Sequence, residues 1–400
     1  PYFTPAQNFP DDFSTEDQTR LEAAYRQATQ DILDSYTRMR DFLRDEYLPL
    51  AREGVGLSHM QGGDQLYAQM VRDTTTLDLT PVYIHNLGLA EVARITRGFE
   101  AVRDEVGFEG TLAEFFEHIR TDPQFKPETR EWLGEEYYRI GERVDTRINE
   151  LFQTLPTSPL EIRAVEPFRE ATAAGGSYRG GTPDGSRPGI FYYNAYNLEE
   201  RLTPGMETLY LHEGAPGHHF QISLAQENED LPNFMRFGGN TAFVEGWALY
   251  SETLGPELGL FSDPYQRVGH LNDEMLRAMR LVVDTGLHSK GWTREQAIEY
   301  MLANSGMTNV EATSEVERYI AIPSQALAYK VGALTIQALR AQAEAALGDA
   351  FDIRAFHEQV LDTGALPMAV LQNKIYDWIE ANGGERPSGV DLMAVHGSAD

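Results

Sequence analysis

The 400-residue chain contains no cysteine. That excludes disulfides, thiol nucleophiles and thiolate metal ligands, so any metal is left with His, Asp, Glu or carbonyl oxygen. No apolar run approaches the roughly 20 residues of a membrane span, and none is expected. Positive charge is scarce: 33 Lys and Arg face 62 Asp and Glu, for a formal charge of −29. Phosphate-led binding of nucleic acid is disfavoured at that charge. The acidity favours solubility, and it also suits a saline habitat or cationic substrates. The opening Pro1-Tyr2-Phe3-Thr4 has neither an initiator Met nor signal-peptide character. A cytoplasmic protein and a secreted or periplasmic one after signal removal are both compatible with it, and an upstream segment can be missing.

Helical signals dominate what is present. Ser14 can cap a helix over 15–51, with apolar residues at Leu21, Tyr25, Ala28, Ile32 and Tyr36. Further helices are expected at 64–73, 80–86, 88–106, 112–120 (capped by Thr111) and from Pro127 to about 151. Residues 153–208 are rich in Pro and Gly, and inside them 190–196 is aromatic and strand-like. Helices return over 206–226, 240–254, 264–287, 293–303, 308–318, 323–348, 353–362 and 367–381. The expected fold is one mostly α domain over 1–400 with a small β-sheet. Its parts are a helical stretch (1–152), a loop and strand segment (153–205), metal-site helices (206–382) and a loose tail (383–400).

Three of the ten histidines fall in His212-Glu213-Gly214-Ala215-Pro216-Gly217-His218-His219. Histidines four apart on a helix share a face and can reach one zinc ion at about 2.0–2.1 Å. Here the spacings are six and seven. Six residues put side chains roughly 120° apart, and seven separate them by roughly 10 Å along the axis. A break is therefore required, and Pro216-Gly217 supplies it. His212 and His218 are the preferred ligands, with His219 the alternative. Glu245, a carboxylate within an apolar run, is the third ligand, and Gly246 beside it would permit close helix approach. Glu252, one heptad on, suits an outer partner of a ligand. Glu213 is placed as general base, taking a proton from a metal-activated water and passing it to the leaving amine.

Together with these residues, Asp184 to Gly189, Arg236-Phe237-Gly238-Gly239, Asp284 to His288 and Gln325 to Lys330 resemble the DUF885 family of bacterial metallopeptidase-like proteins. That group is similar to the helical zinc oligopeptidases typified by thimet oligopeptidase and angiotensin-converting enzyme. The resemblance implies a helical array around a deep channel, Zn2+, a short-peptide substrate, and a Glu ligand on the next helix matching Glu245. Arg318-Tyr319 looks like an Arg-Tyr pair whose Tyr stabilises the oxyanion. The His expected about ten residues before that Tyr is absent, and His288 is the candidate replacement. The two-residue insertion at Pro216-Gly217 departs from the His-Glu-x-x-His pattern.

Other residues have candidate roles in substrate binding. Tyr329 and Lys330 can hold a peptide carboxylate, and strand 190–196 can serve as an edge for an extended peptide, with Asn194 pointing its amide to substrate. The expected activity is a zinc metallopeptidase. The alternatives are a zinc hydrolase of a non-peptide amide or ester, and a non-catalytic metal- or peptide-binding protein.

Overall fold

A computed structural model describes residues 4–396. They fall into two compact units, one ending at Gly54 and one beginning at Val55. The first is built on helix α1 (Thr15–Phe42), where the Ser14 hydroxyl accepts the Asp17 N–H at 3.1 Å. A π turn (Leu43–Tyr47) and a 3-10 turn (Leu48–Leu50) continue it.

The second unit is mostly helical with one small sheet. It opens with α2 (Gly63–Thr75), α3 (Pro81–Glu105), α4 (Leu112–Thr121), α5 (Arg130–Asp145) and the short α6 (Ile148–Leu151). Strands β1 (Leu160–Ala164), β2 (Gly176–Arg179) and β3 (Gly189–Tyr193) follow. Then come α7 (Met206–Glu213), α8 (His218–Glu227), α9 (Asn233–Arg236), α10 (Thr241–Thr253) and α11 (Pro264–Ser289). The chain closes with α12 (Arg294–Asn304), α13 (Asn309–Ala321), α14 (Leu327–Leu347), α15 (Ile353–Leu361) and α16 (Met368–Ala381). Helix α11 lies along α3, and α10 lies along α14. Helix α7 sits between β2, α10 and α11, so the His-Glu segment is enclosed by the sheet and two long helices.

Several expectations are corrected. Residues 80–106 form one helix rather than two. Gly88, inside it, lets α11 approach, since a Cβ there would lie 2.7 Å from the Leu281 Cβ. The helix expected from Pro127 starts at Arg130, capped by the Thr129 hydroxyl, and Arg147 breaks it with a non-helical φ of −123°. The 190–196 strand is not an edge. β3 is the middle strand, parallel to β1 and antiparallel to β2. Both its sides are already paired, so it has no edge to offer a peptide. The described part of the tail is docked rather than loose: Leu392 is buried, and the Tyr83 hydroxyl donates to Asp391 at 3.1 Å. Residues 397–400 of that tail lie outside the described residues.

Candidate metal centre

Helix α7 stops at Glu213 and α8 starts at His218. Gly214 and Gly217 take non-helical ψ angles of −124° and −126°, and the Ala215–Pro216 peptide is cis. A Cβ at Gly217 would sit 2.0 Å from the His212 carbonyl oxygen, so only glycine fits this reversal. The Trp247 indole N–H donates to the Pro216 carbonyl at 2.8 Å and ties the break to α10.

The break brings His212, His218 and Glu245 together, with their ligand atoms all within 4.8 Å of one another. Glu245 Oε2 lies 3.8 Å from His212 Nε2 and 3.6 Å from His218 Nε2. Bonds of about 2.0–2.1 Å to a tetrahedral zinc imply donor separations of ~3.3 Å, so Glu245 sits a few tenths of an ångström further than that from each histidine nitrogen. The two imidazoles stand nearly perpendicular, at 86°. His219 points elsewhere: its Nδ1 is hydrogen-bonded to the Tyr178 hydroxyl at 3.0 Å. Of the two histidines, His218 and not His219 is grouped with His212 and Glu245.

Glycine sets the depth of Glu245. A Cβ on Gly246 would lie 2.6 Å from the Gly332 backbone, and one on Gly332 would lie 1.9 Å from the Ala242 carbonyl. Helices α10 and α14 therefore touch backbone to backbone, as Gly246 suggested.

The surroundings suit a cation. His212 Nδ1 is hydrogen-bonded to Glu252 Oε1 at 2.7 Å. With Glu252 ionised beside a cation, that bond fixes the Nδ1–H tautomer and leaves the Nε2 lone pair towards Glu245, as metal-binding histidines require. Burial, reinforced by Arg277, lowers the His212 pKa to about 3. Burial and the neighbouring His212 do the same to His218. Both rings are then neutral at pH 7, the form that binds metal. Burial and the nearby Glu245 raise Glu213 to about 8, and burial raises Glu252 to about 8. Three carboxylates crowd one largely buried space, and a dication would offset that crowding. A His2Glu donor set fits zinc.

The other residues singled out in the sequence are held elsewhere. The Tyr319 hydroxyl donates to Glu315 and accepts from Arg280 Nε at 3.2 Å. Arg318 bonds Gln325 at 2.6 Å. His288 is fully buried: its Nδ1 accepts the Leu57 N–H at 3.2 Å, and its Nε2 donates to the Tyr319 carbonyl at 3.0 Å. Neither nitrogen is presented to an oxyanion. The Asn194 amide donates to the Glu170 and Ala173 carbonyls, and its oxygen accepts the Tyr196 N–H, so it braces a loop. Lys330 is 1% exposed and paired with Glu274 at 2.6 Å and Glu91 at 2.8 Å. It neutralises a buried network with Arg94 and cannot reach for a substrate carboxylate. Glu91, Glu274 and His396 also cluster, but these two cations already balance them. Tyr329 is half-buried over the Arg280 guanidinium, 4.6 Å from it.

Sequence reasoning missed Arg277 and Arg280 on α11, and the edge strand β2, whose Tyr178 main chain favours the charged form of Glu213. The signal was His270, Asp273, Arg277 and Arg280 recurring at intervals of three and four along one helix.

A family model described as a bacterial protein of unknown function (DUF885) matches residues 2–375, and the chain belongs to that family. Two solved structures are similar. One is a "putative lipoprotein" from Colwellia psychrerythraea at 35% identity and a TM-score of 0.89, covering 95% of this chain. The other is a "putative lipoprotein of unknown function" from Shewanella oneidensis at 22% identity and a TM-score of 0.70, covering 92% of this chain. The chain spans 66% of the first relative's length and 68% of the second's. No curated protein matches it.

Proposed function

We propose that this DUF885 member is a zinc-dependent metallopeptidase that hydrolyses amide bonds of short peptides. His212, His218 and Glu245 hold the ion. The observation that carries this reading is the convergence of their three ligand atoms within 4.8 Å, two of them from the chain segment that also carries Glu213 and one from α10. Bound zinc would supply Lewis-acid polarisation and a lowered water pKa.

The chain's own residues do the rest. Glu213, ionised, accepts the proton of the attacking water on its carboxylate and delivers it to the leaving nitrogen. Glu252 keeps His212 in the Nδ1–H tautomer and orients its ring. Enclosure by α7, α8, α10 and α11 limits bulk water around the reacting bond. A deep channel admitting short peptides belongs to the same proposal. So does a location in the cell envelope or outside the cell, in line with the lipoprotein description of the relatives.

The test is Glu213→Gln. It should retain the metal and lose turnover by about 10²–10⁴-fold. Peptide hydrolysis at the unmutated rate would rule out this assignment of the base.

A further inference from the structure

Helix α11 presents one polar face to the candidate centre. His270, Asp273, Arg277 and Arg280 recur at intervals of three and four, so they share a side of the helix. His270 Nδ1 lies 3.8 Å from Glu252 Oε2, which fixes that side towards the partner of His212. Arg277 gives its Nη1 to Asp273 at 3.1 Å, and its Nε is buried with no hydrogen-bond partner. Arg280 gives Nε and Nη2 to Glu315, at 3.3 and 3.0 Å, and Nε also to the Tyr319 hydroxyl. Its Nη1 is likewise buried without a partner. Two guanidinium groups one turn apart thus each keep a buried N–H with no acceptor, a costly arrangement in a protein interior. The face opens at its Arg277 end, where the Arg277 side chain is 14% exposed, Asp273 31% and Glu245 21%, and closes over Arg280, which is 6% exposed.

We propose that Arg277 and Arg280 are the receptor for a free carboxylate of the substrate. Substrates are then peptides with an unblocked C-terminus, cut near that end. This rests on the zinc-peptidase reading. A guanidinium offers planar, paired donors that match a carboxylate. Each arginine already carries one acidic side chain and keeps donors for another acceptor. Lys330, the cation the sequence suggested for this task, is consumed by Glu91 and Glu274. Arg277 and Arg280 both lie on the same side of α11 as His270, which is 3.8 Å from Glu252, the hydrogen-bond partner of His212. Tyr329, stacked on Arg280, would form one wall of the carboxylate site.

The experiment measures calorimetric binding of Ala-Ala-Phe, Ala-Ala-Lys and Ala-Ala-Asp, each as free acid and as C-terminal amide. The protein is full-length zinc-treated Glu213→Gln, with and without Arg277→Gln or Arg280→Gln added. At least one acid should bind about 10–100-fold more tightly than its amide, and either arginine change should remove most of that preference. Should Arg280→Gln fail to fold, Arg277→Gln and the acid–amide comparison still decide. Equal binding of acids and amides, a preference that survives the arginine changes, or no detectable binding of any peptide would overturn the proposal. Hydrolysis of blocked and free peptides alike by the unmutated protein would remove the arginine receptor and leave the zinc reading standing. An arginine-dependent acid preference in a protein that binds no metal would do the reverse.

Discussion

Replacing Gly246 by Ala forces apart the two helices that set the depth of Glu245, the proposed third ligand. The new Cβ would fall 2.6 Å from the Gly332 Cα and carbonyl carbon and 2.9 Å from the Ala333 nitrogen. All three are backbone atoms in the middle of α14, so no side-chain rotation relieves the clash. Helices α10 and α14 must separate by ~0.8 Å to reach ordinary contact. Overpacking of this kind costs about 1–3 kcal/mol. Glu245 adjoins the substituted residue and moves with α10. Its Oε2 is already 3.6 and 3.8 Å from the two histidine nitrogens, whereas metal sites tolerate about ±0.2 Å. Zinc affinity should therefore fall roughly tenfold or more, ~1.4 kcal/mol. Thermal unfolding in chelator isolates the packing cost, and competition with a chromogenic chelator gives the affinity. Gly239→Ala is the control, because its Cβ would meet only Val244 Cγ2 at 3.8 Å. If Gly246→Ala matched that control in both stability and zinc affinity, the close helix contact would not be what positions Glu245.

Two further outcomes follow from buried carboxylates. Glu252→Gln replaces the acceptor of the His212 Nδ1–H, 2.7 Å away, and should weaken zinc binding about 10–100-fold; unchanged affinity in the chelator competition would contradict the orienting role. Asp284 accepts from the Tyr67 hydroxyl at 2.5 Å, and burial raises its pKa from 3.8 to about 7. The folded chain then holds a proton that the unfolded chain has released, so stability falls as pH rises from about 4 to about 7 and stays lower above that. The full loss is at most about 4 kcal/mol. Asp284→Asn should flatten this slope in denaturant titrations at pH 5 and pH 8; an unaltered slope would mean that another group carries it.

The residues that converge on the candidate centre were legible in the sequence where residue type alone was diagnostic. His212, Glu213 and His218 cluster within seven positions, and helix geometry by itself demanded the break at Pro216-Gly217. Glu245 stood out as a charge in an apolar run, and Gly246 as the small residue beside it. Most helices were equally readable, because their periodicity and caps are local: Ser14, Thr111 and the Pro at the start of α3 act within one turn. Partners were not readable. Whether a buried Tyr or Lys serves substrate or neighbour depends on residues far away in the chain. The His288 partner Leu57 is 231 positions distant, and the Lys330 partner Glu274 is 56. The sheet order was hidden for a similar reason. β2 is four residues in a glycine-rich loop with little alternation of its own, and it becomes a strand by pairing with β3.

The most direct test of the account is elemental analysis of the purified, zinc-equilibrated protein beside its His212→Ala and His218→Ala forms. The account predicts about one zinc per chain in the unmutated protein and loss of that zinc in both variants. Absence of zinc from the unmutated protein, or zinc retained at the same level in both variants, would contradict it.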